Sequence, residues 1–337
     1  MAAYTTIDNP ELYFQTKIYS GDGNDDRNIV FDVTDTSLQP NMLWSARRDS
    51  ADNLSLYDSV RGDGKELRTA ETGAQYDRSD NIQALNSNGF QVGTDGQVNA
   101  SGGTYVSWAW KESATAGFDI LTFEGNSTDD TDISHNLSAV PHWIICRNID
   151  SAKDWCVYHH KNTSAPETDL LVLNTTAATS DSNDKWSDEA PTSSVFTVGD
   201  SSQLNASGDT SIAFLWSEKQ GYSKFGTYEG NNNASGPYIY LGFKPAWFMT
   251  KKSNGSKDWN IYDNKRSDSG GGNPNDQYLE ANTNGAEQSG QDIDFLSTGV
   301  KIRSTSSEVN GDDNNFIYMA FAESPLVNSN GVPNNAE

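Results

Sequence analysis

The stretch Trp247-Phe-Met-Thr-Lys-Lys-Ser-Asn-Gly-Ser-Lys-Asp-Trp-Asn-Ile-Tyr-Asp263 reads as two short strands around a polar turn. Trp247, Phe248 and Met249 form the first strand, Ser253–Lys257 the turn, and Trp259–Asp263 the second. In the second strand Trp259 and Ile261 share one face and Asn260 points to the other, the period of two that a strand imposes on its side chains. The same alternation occurs twice more: Leu54 and Leu56 flank Ser55, and Trp155 and Val157 flank Cys156.

Working outward, each of the three copies has a Pro seventeen positions before a Tyr: Pro40 and Tyr57, Pro141 and Tyr158, Pro245 and Tyr262. Each also has an Asn followed eleven positions later by an aromatic and thirteen positions later by a Glu: Asn99, Trp110 and Glu112; Asn205, Trp216 and Glu218; Asn310, Phe321 and Glu323. A repeat of about a hundred residues is too long for a solenoid turn and long enough for a small domain. Each copy opens with an aromatic strand end running into a glycine turn, at Tyr19-Ser-Gly21, Phe123-Glu-Gly125 and Tyr228-Glu-Gly230. Each closes on an apolar strand whose inward set is Val106, Trp108 and Trp110, then Ile212, Phe214 and Trp216, then Ile317, Met319 and Phe321.

Seven or eight short strands per copy, with turn signals between them and no helical period longer than two turns, predict an all-β fold. The expectation is three tandem β-sandwich (jelly-roll-like) repeats over residues 17–113, 117–219 and 222–325, an N-terminal docking arm over 1–16 and a flexible tail over 326–337. The connections Ser113–Gly117 and Lys219–Gly221 are short, which predicts a semi-rigid rod or compact arc of modules rather than free tumbling.

Composition narrows the function. The net charge of −24 over 337 residues disfavours nucleic acid and anionic membrane surfaces. No eighteen-residue apolar run exists, so no transmembrane helix is expected, and the first residues lack the basic start and apolar stretch of a signal peptide. The two cysteines, Cys146 and Cys156, read as free thiols across a hairpin, with a cross-strand disulfide as the alternative.

The segments Leu56-Tyr-Asp-Ser-Val-Arg-Gly62, Asn99-Ala-Ser-Gly-Gly-Thr-Tyr-Val-Ser-Trp-Ala-Trp-Lys111, Gly221-Tyr-Ser-Lys-Phe-Gly-Thr-Tyr-Glu-Gly230 and Tyr318-Met-Ala-Phe-Ala-Glu323 resemble a tandem, lectin-like β-sandwich module of marine bacteriophages. The opening Tyr4-Thr-Thr-Ile-Asp with Tyr13-Phe-Gln15 is similar to the N-terminal arm of such proteins. The resemblance implies a virion structural protein, of the kind labelled tail fibre or adhesin and assembled in the host cytoplasm, and it carries no catalytic residues. A head-surface or tail-wall protein is the alternative within that class, and a glycan-active enzyme the alternative outside it.

Candidate chemistry is sparse. All four histidines (His135, His142, His159, His160) fall in the second copy, but the adjacent His159 and His160 should point to opposite faces of a strand, which disfavours a metal site. The acidic loops Asp22–Asp26 and Asp129–Asp132 could hold Ca²⁺ through side-chain and backbone oxygens, though neither has the EF-hand pattern and solvated turns are the simpler reading. Glu112, Glu218 and Glu323 recur once per copy, which suits a role at the junction between copies better than a carboxylate pair across a cleft. Arg61 after Tyr57-Asp58 and Arg266 after Tyr262-Asp263 fit structural ion pairs, and Trp186 and Tyr76 are candidates for stacking on sugar rings. No catalytic residue, cofactor site or metal ligand is assigned. Tyr4, Ile7, Tyr13 and Phe14 are apolar groups in an arm with no core of its own, so the sequence predicts that they dock on a partner chain, another virion protein or a sister subunit. Sandwiches expose edge strands, and avidity favours several copies, so a homo-oligomer, with a trimer as the first guess, and a host-surface glycan complete the expected partners.

Overall fold

The computed structural model describes residues 4–32, 36–267 and 272–334. The first unit contains β1 (Phe14–Ser20), β2 (Arg27–Val30), β3 (Met42–Arg47), β4 (Ser55–Asp58), β5 (Lys65–Arg68), β6 (Tyr76–Asp77), β7 (Ile82–Asn86), β8 (Gly89–Val92) and β9 (Thr104–Trp110). The second contains β10 (Phe118–Glu124), β11 (Thr131–Ser134), β12 (Trp143–Asn148), β13 (Cys156–His159), β14 (Asp169–Val172), β15 (Ser180–Asp181), β16 (Val195–Val198) and β17 (Thr210–Trp216). The third contains β18 (Ser223–Glu229), β19 (Tyr238–Tyr240), β20 (Phe243–Lys252), β21 (Trp259–Asp263), β22 (Asn275–Glu280), β23 (Gln288–Leu296), β24 (Gly299–Ile302) and β25 (Asn315–Pro325). Helix among the described residues is confined to four single turns. The fold is all-β and antiparallel throughout the described pairings.

The large sheets of the first two units run in the same order, β1-β9-β3-β4-β5-β6 and β10-β17-β12-β13-β14-β15. Each is faced by a small sheet, β2-β8-β7 and β11-β16 respectively. In the third unit the order starts alike, β18-β25-β20-β21-β22, but β23 is one long strand that carries the sheet on through β24 to β19, so large and small sheets are continuous. Pro40 and Pro141 stand just outside the strands that follow them, whereas Pro245 lies inside β20 at a break in register, where a missing N–H is tolerated.

Both faces of each large sheet are buried. One face covers its own small sheet and packs a local core, where Tyr57, Tyr158 and Tyr262 lie. The other face turns inward to a core common to all three units. Eight of the nine tryptophans (Trp44, Trp108, Trp110, Trp143, Trp155, Trp216, Trp247, Trp259) are in that common core. An indole removes roughly 150–250 Å² from water, worth roughly 4–6 kcal/mol each at about 25 cal/mol per Å². The closing-strand residues read as each module's inward set, Trp108, Phe214 and Met319 among them, thus belong to the shared interior. Of the expected rod or compact arc of modules, the rod is corrected: three sheets that share one interior form a closed, pseudo-threefold body, and none is sealed by itself.

Polar contacts close the same ring. Ile149 O accepts the Gln75 N–H at 2.8 Å, Ser253 O accepts Thr179 at 2.8 Å, and Arg48 O accepts Glu287 at 2.9 Å. Arg48, Ile149 and Ser253 hold equivalent places after the central strand of each unit, so an equivalent backbone bond links each successive pair and the third returns to the start; Lys153 N to Thr72 O at 2.9 Å and Lys257 N to Thr176 O at 3.0 Å add to the first two boundaries. Indole N–H groups cross the same boundaries: Trp155 Nε1 donates to Arg68 O at 3.1 Å, Trp259 Nε1 to Val172 O at 3.1 Å, and Trp108 Nε1 to Asp263 Oδ2 at 2.9 Å.

The repeated Asn is a clamp within each unit. Asn99, Asn205 and Asn310 are wholly buried. Their Oδ1 atoms accept the N–H of Asp22, Asn126 and Asn231 at 3.0, 2.8 and 2.9 Å. Their Nδ2 groups donate to Gly93, Gly199 and Ser304 carbonyls at 2.9, 2.8 and 2.8 Å, and each to a second carbonyl in the opening turn. Three bonds to backbone fasten the opening turn to the segment before the last strand. Gly21, Gly125 and Gly230 precede the clamped N–H groups; a Cβ on any of them would run into the carbonyl of Ala100, Ala206 or Gly311.

The ends of the chain are anchored on this body. Ile7 and Phe14 are each 2% exposed and belong to the shared core, and Phe14 stacks on Phe321 of the third unit at 5.4 Å. Tyr13 packs edge-on against Tyr222 at 6.1 Å, and Tyr4 Oη donates to Gly242 O at 2.7 Å. The premise that the arm has no core of its own is therefore corrected: these four side chains are used within the chain, because the first strand lies against the third unit. The tail is also not loose over its described part, residues 326–334. It turns back through a Val327–Pro333 bridge, Leu326 N donates to Gly242 O at 3.3 Å, and the Ser329 N–H reaches Asp8 at 2.6 Å. The remaining tail residues, 335–337, lie outside the described residues.

Candidate functional site

The three boundaries between units are equivalent in backbone and different in chemistry. At the first, Glu112 at the end of β9 meets Asp119 on β10. Burial and the Asp119 carboxyl push the Glu112 carboxyl up to about 7. Asp119 also accepts the Asn136 N–H at 2.6 Å. A carboxyl raised in this way keeps its proton through the mildly acidic range and gives it up near neutral pH.

At the second boundary stand imidazoles. His142 and His160 pack edge-on at 4.3 Å, and His160 Nε2 lies 2.9 Å from Phe225 O on β18. His142 Nδ1 accepts the Glu218 N–H at 2.9 Å. His159 is 1% exposed and packs against Trp143 at 5.0 Å. Burial pushes all three imidazoles down, His160 to about 4. They are neutral packing groups at this seam, and His135 lies apart near Thr192. Among the described residues no group of three or more His, Cys, Asp or Glu side chains is arranged to hold a metal ion.

The third boundary is open. A groove of about 490 Å³ runs between β1 and the β20–β25 pair, lined by Phe14, Thr16, Lys244, Ala246, Asn264 and Glu323 among others. Ala246 occupies the place that His142 fills at the second boundary, so the opening arises from small side chains at this one seam. Glu323 is held by Lys244 at 3.1 Å and by Asn264 at 2.7 Å. The three repeated glutamates thus all stand at junctions between units, as their spacing suggests.

The other sequence candidates are absorbed by structure. Asp58 and Arg61 pair at 2.6 Å and Asp263 and Arg266 at 2.5 Å, both pairs nearly or wholly buried. Arg266 also lies over the Trp108 ring at 5.3 Å. Cys146 and Cys156 oppose each other on β12 and β13 as buried free thiols, and burial pushes the Cys156 thiol up to about 12. In the acidic loops Asp22 accepts the Asn24 N–H at 2.9 Å, and Asp129 and Asp132 accept Ser187 and Thr197 hydroxyls at 2.8 and 3.0 Å. Trp186 is buried at 2% exposure, and Tyr76 lies under the Arg68 guanidinium at 4.3 Å.

Two further residues stand out that are not among the sequence candidates. Tyr238 and Tyr240 are 44% and 53% exposed, the only strongly exposed aromatics among the described residues. They flank the buried Ile239 on β19, and that alternation was the signal that could have found them. Tyr240 carries the Lys224 ammonium over its ring at 5.3 Å, and the Tyr238 hydroxyl bonds Thr298.

A family model described as Domain of unknown function (DUF7483) matches residues 9–325. No curated protein matches the chain. The matched region runs through all three units and stops at the end of β25.

Proposed function

The chain belongs to the DUF7483 family, and we propose that it is a non-enzymatic structural component of a bacteriophage virion, a tail-fibre or adhesin segment that holds three β units as one body toward the host surface. One observation carries this reading: the residues that recur in every unit serve the architecture. The Asn clamps bind turns, the Tyr residues fill local cores, and the glutamates stand at the seams. The repeat therefore reproduces a frame. The resemblance of its motifs to a phage module supplies the setting.

Immunolabelling of purified phage particles tests the assignment. Label on tail fibres is the expected outcome. Label over the capsid alone would move the protein to the head surface, and its absence from purified particles would overturn the virion reading. Release of reducing ends from host polysaccharide by the purified chain would overturn the non-enzymatic part.

A further inference from the structure

Among the described residues, strand β19 is the outer edge of the eight-stranded sheet and pairs with β24 alone. Its two outward residues, Tyr238 and Tyr240, lie on one face, roughly 6.6–6.8 Å apart along the strand. The fold does not ask for rings there. By register, the matching residues are Asn28 and Val30 in the first unit and Asp132 and Ser134 in the second. All the other aromatics of the chain find at least partial cover, so two exposed phenols side by side on one short strand are not a packing remainder.

The rings are also held in place. The Tyr238 hydroxyl is bonded to Thr298, and Lys224 Nζ both sits over the Tyr240 ring and donates to Tyr240 O at 3.0 Å. The Tyr4 hydroxyl backs the patch through Gly242 O, and a Cβ at Gly242 would meet it at 2.6 Å. Lys301 stands opposite Tyr238 on β24, with its ammonium on the Gly236 carbonyl; Asp294 beside it is matched by Arg303 at 3.4 Å. A chain of net charge −24 thus places two lysines beside its two exposed rings.

The C–H face of a pyranose ring is apolar and carries a slight positive polarisation, which suits the negative face of a phenol ring. Its hydroxyls and any carboxylate lie around the rim, where they meet hydrogen-bonding groups and cations. We propose that Tyr238 and Tyr240 form a platform for an acidic glycan, with pyranose rings flat on the phenols and sugar carboxylates against Lys224 and Lys301. This deepens the adhesive reading above and rests on it.

The test uses the full chain with oligogalacturonate as the acidic probe and dextran as the neutral one, measured by calorimetry and by NMR perturbation. Oligogalacturonate should bind more tightly than dextran. Tyr238→Ala with Tyr240→Ala should weaken it roughly tenfold or more while the chain stays folded with only a small drop in melting temperature, because neither ring belongs to a buried core. The Phe pair at the same positions should retain binding, and Lys224→Ala with Lys301→Ala should remove the preference for the acidic probe. Failure of the chain to bind either probe overturns the proposal. So does binding that the Ala pair leaves intact, which would place the glycan elsewhere and spare the adhesive reading. Self-association abolished by the Ala pair, without glycan binding, would assign the patch to a second copy of the chain. Absence of the chain from virions would sink the functional reading without altering the glycan titration.

Discussion

Glu287 and Arg48 lie 239 residues apart in sequence and meet through both backbone and side chain. The Glu287 N–H donates to Arg48 O at 2.9 Å, and its carboxylate takes the Arg48 guanidinium at 2.7–3.1 Å. The same carboxylate holds the wholly buried Arg266 at 2.9 Å. The two partners should therefore differ in cost. Arg48→Ala removes a partly exposed pair and should cost about 1 kcal/mol. Glu287→Ala also strips a buried guanidinium of one of its two carboxylates and should cost about 2–3 kcal/mol. Urea unfolding of the two variants measures the difference; equal losses would contradict it.

A common core makes the units interdependent. Unfolding should be a single transition by fluorescence and circular dichroism, since Trp108, Trp155 and Trp247 come from different units and share one interior. Deleting residues 1–16 removes Ile7 and Phe14 from that interior and should cost at least about 4 kcal/mol, in line with large-to-small changes at two buried sites. A deletion variant as stable as the full chain, with three separable transitions, would contradict the shared core.

Two seams should respond oppositely to pH. The folded His142, His159 and His160 sit below their ordinary 6.5, so the unfolded chain binds protons that the native state refuses. Their contribution is present in full above about pH 6.5 and is lost as pH falls toward and through about 4. Glu112, raised from 4.5 to about 7, works the other way: its contribution is present below about 4.5 and is lost as pH rises through about 7. Thermal melts across pH should show that His160→Asn flattens the acid limb and Glu112→Gln the limb from 4.5 to 7. Profiles that run parallel to the parent would contradict both assignments.

Each Asn clamp should matter. Replacing Asn99, Asn205 or Asn310 by Ala leaves a buried N–H and carbonyls without partners, at roughly 2–4 kcal/mol per site. The losses at Asn205 and Asn310 should agree to within about 1 kcal/mol, because the same three backbone bonds are lost, and the loss at Asn99 should be the largest, because its Oδ1 also accepts Arg27 Nη1 at 3.1 Å. A single clamp that can be removed at no cost would show that its turn is held by other means.

Much of this was legible in the sequence and some could not be. The Asn, Pro and Tyr spacings located equivalent strands because local geometry forces those residue types: a buried amide that binds three backbone groups, a residue with no N–H at a strand edge, a ring under the small sheet. Strand alternation sorted Trp108 and Trp110 from Tyr105 and Ala109, but a strand buried on both faces gives no sign of which face meets its own unit and which meets the others. Short connections alone are compatible with a rod, an arc or a closed ring, and that ambiguity leaves the choice among them open. The arm was misjudged for a related reason, since Phe14 finds its cover on Phe321, which no local pattern announces. The groove at the third seam depends on Ala246 and Ala322 being small where three chain segments converge, a property of assembly rather than of any one segment.

The meeting of Tyr4 and Leu326 on the single carbonyl of Gly242, with Ser329 on Asp8, brings the two ends of the described chain together. In a closed ring of like units, where the chain begins is then a matter of connectivity rather than of shape. A short linker joining Tyr4 to Asn334, with a new opening cut between Ser113 and Gly117, would give a circular permutant that starts with the second unit. Such a permutant retains every seam and should reach the same native state, with only the order of synthesis changed.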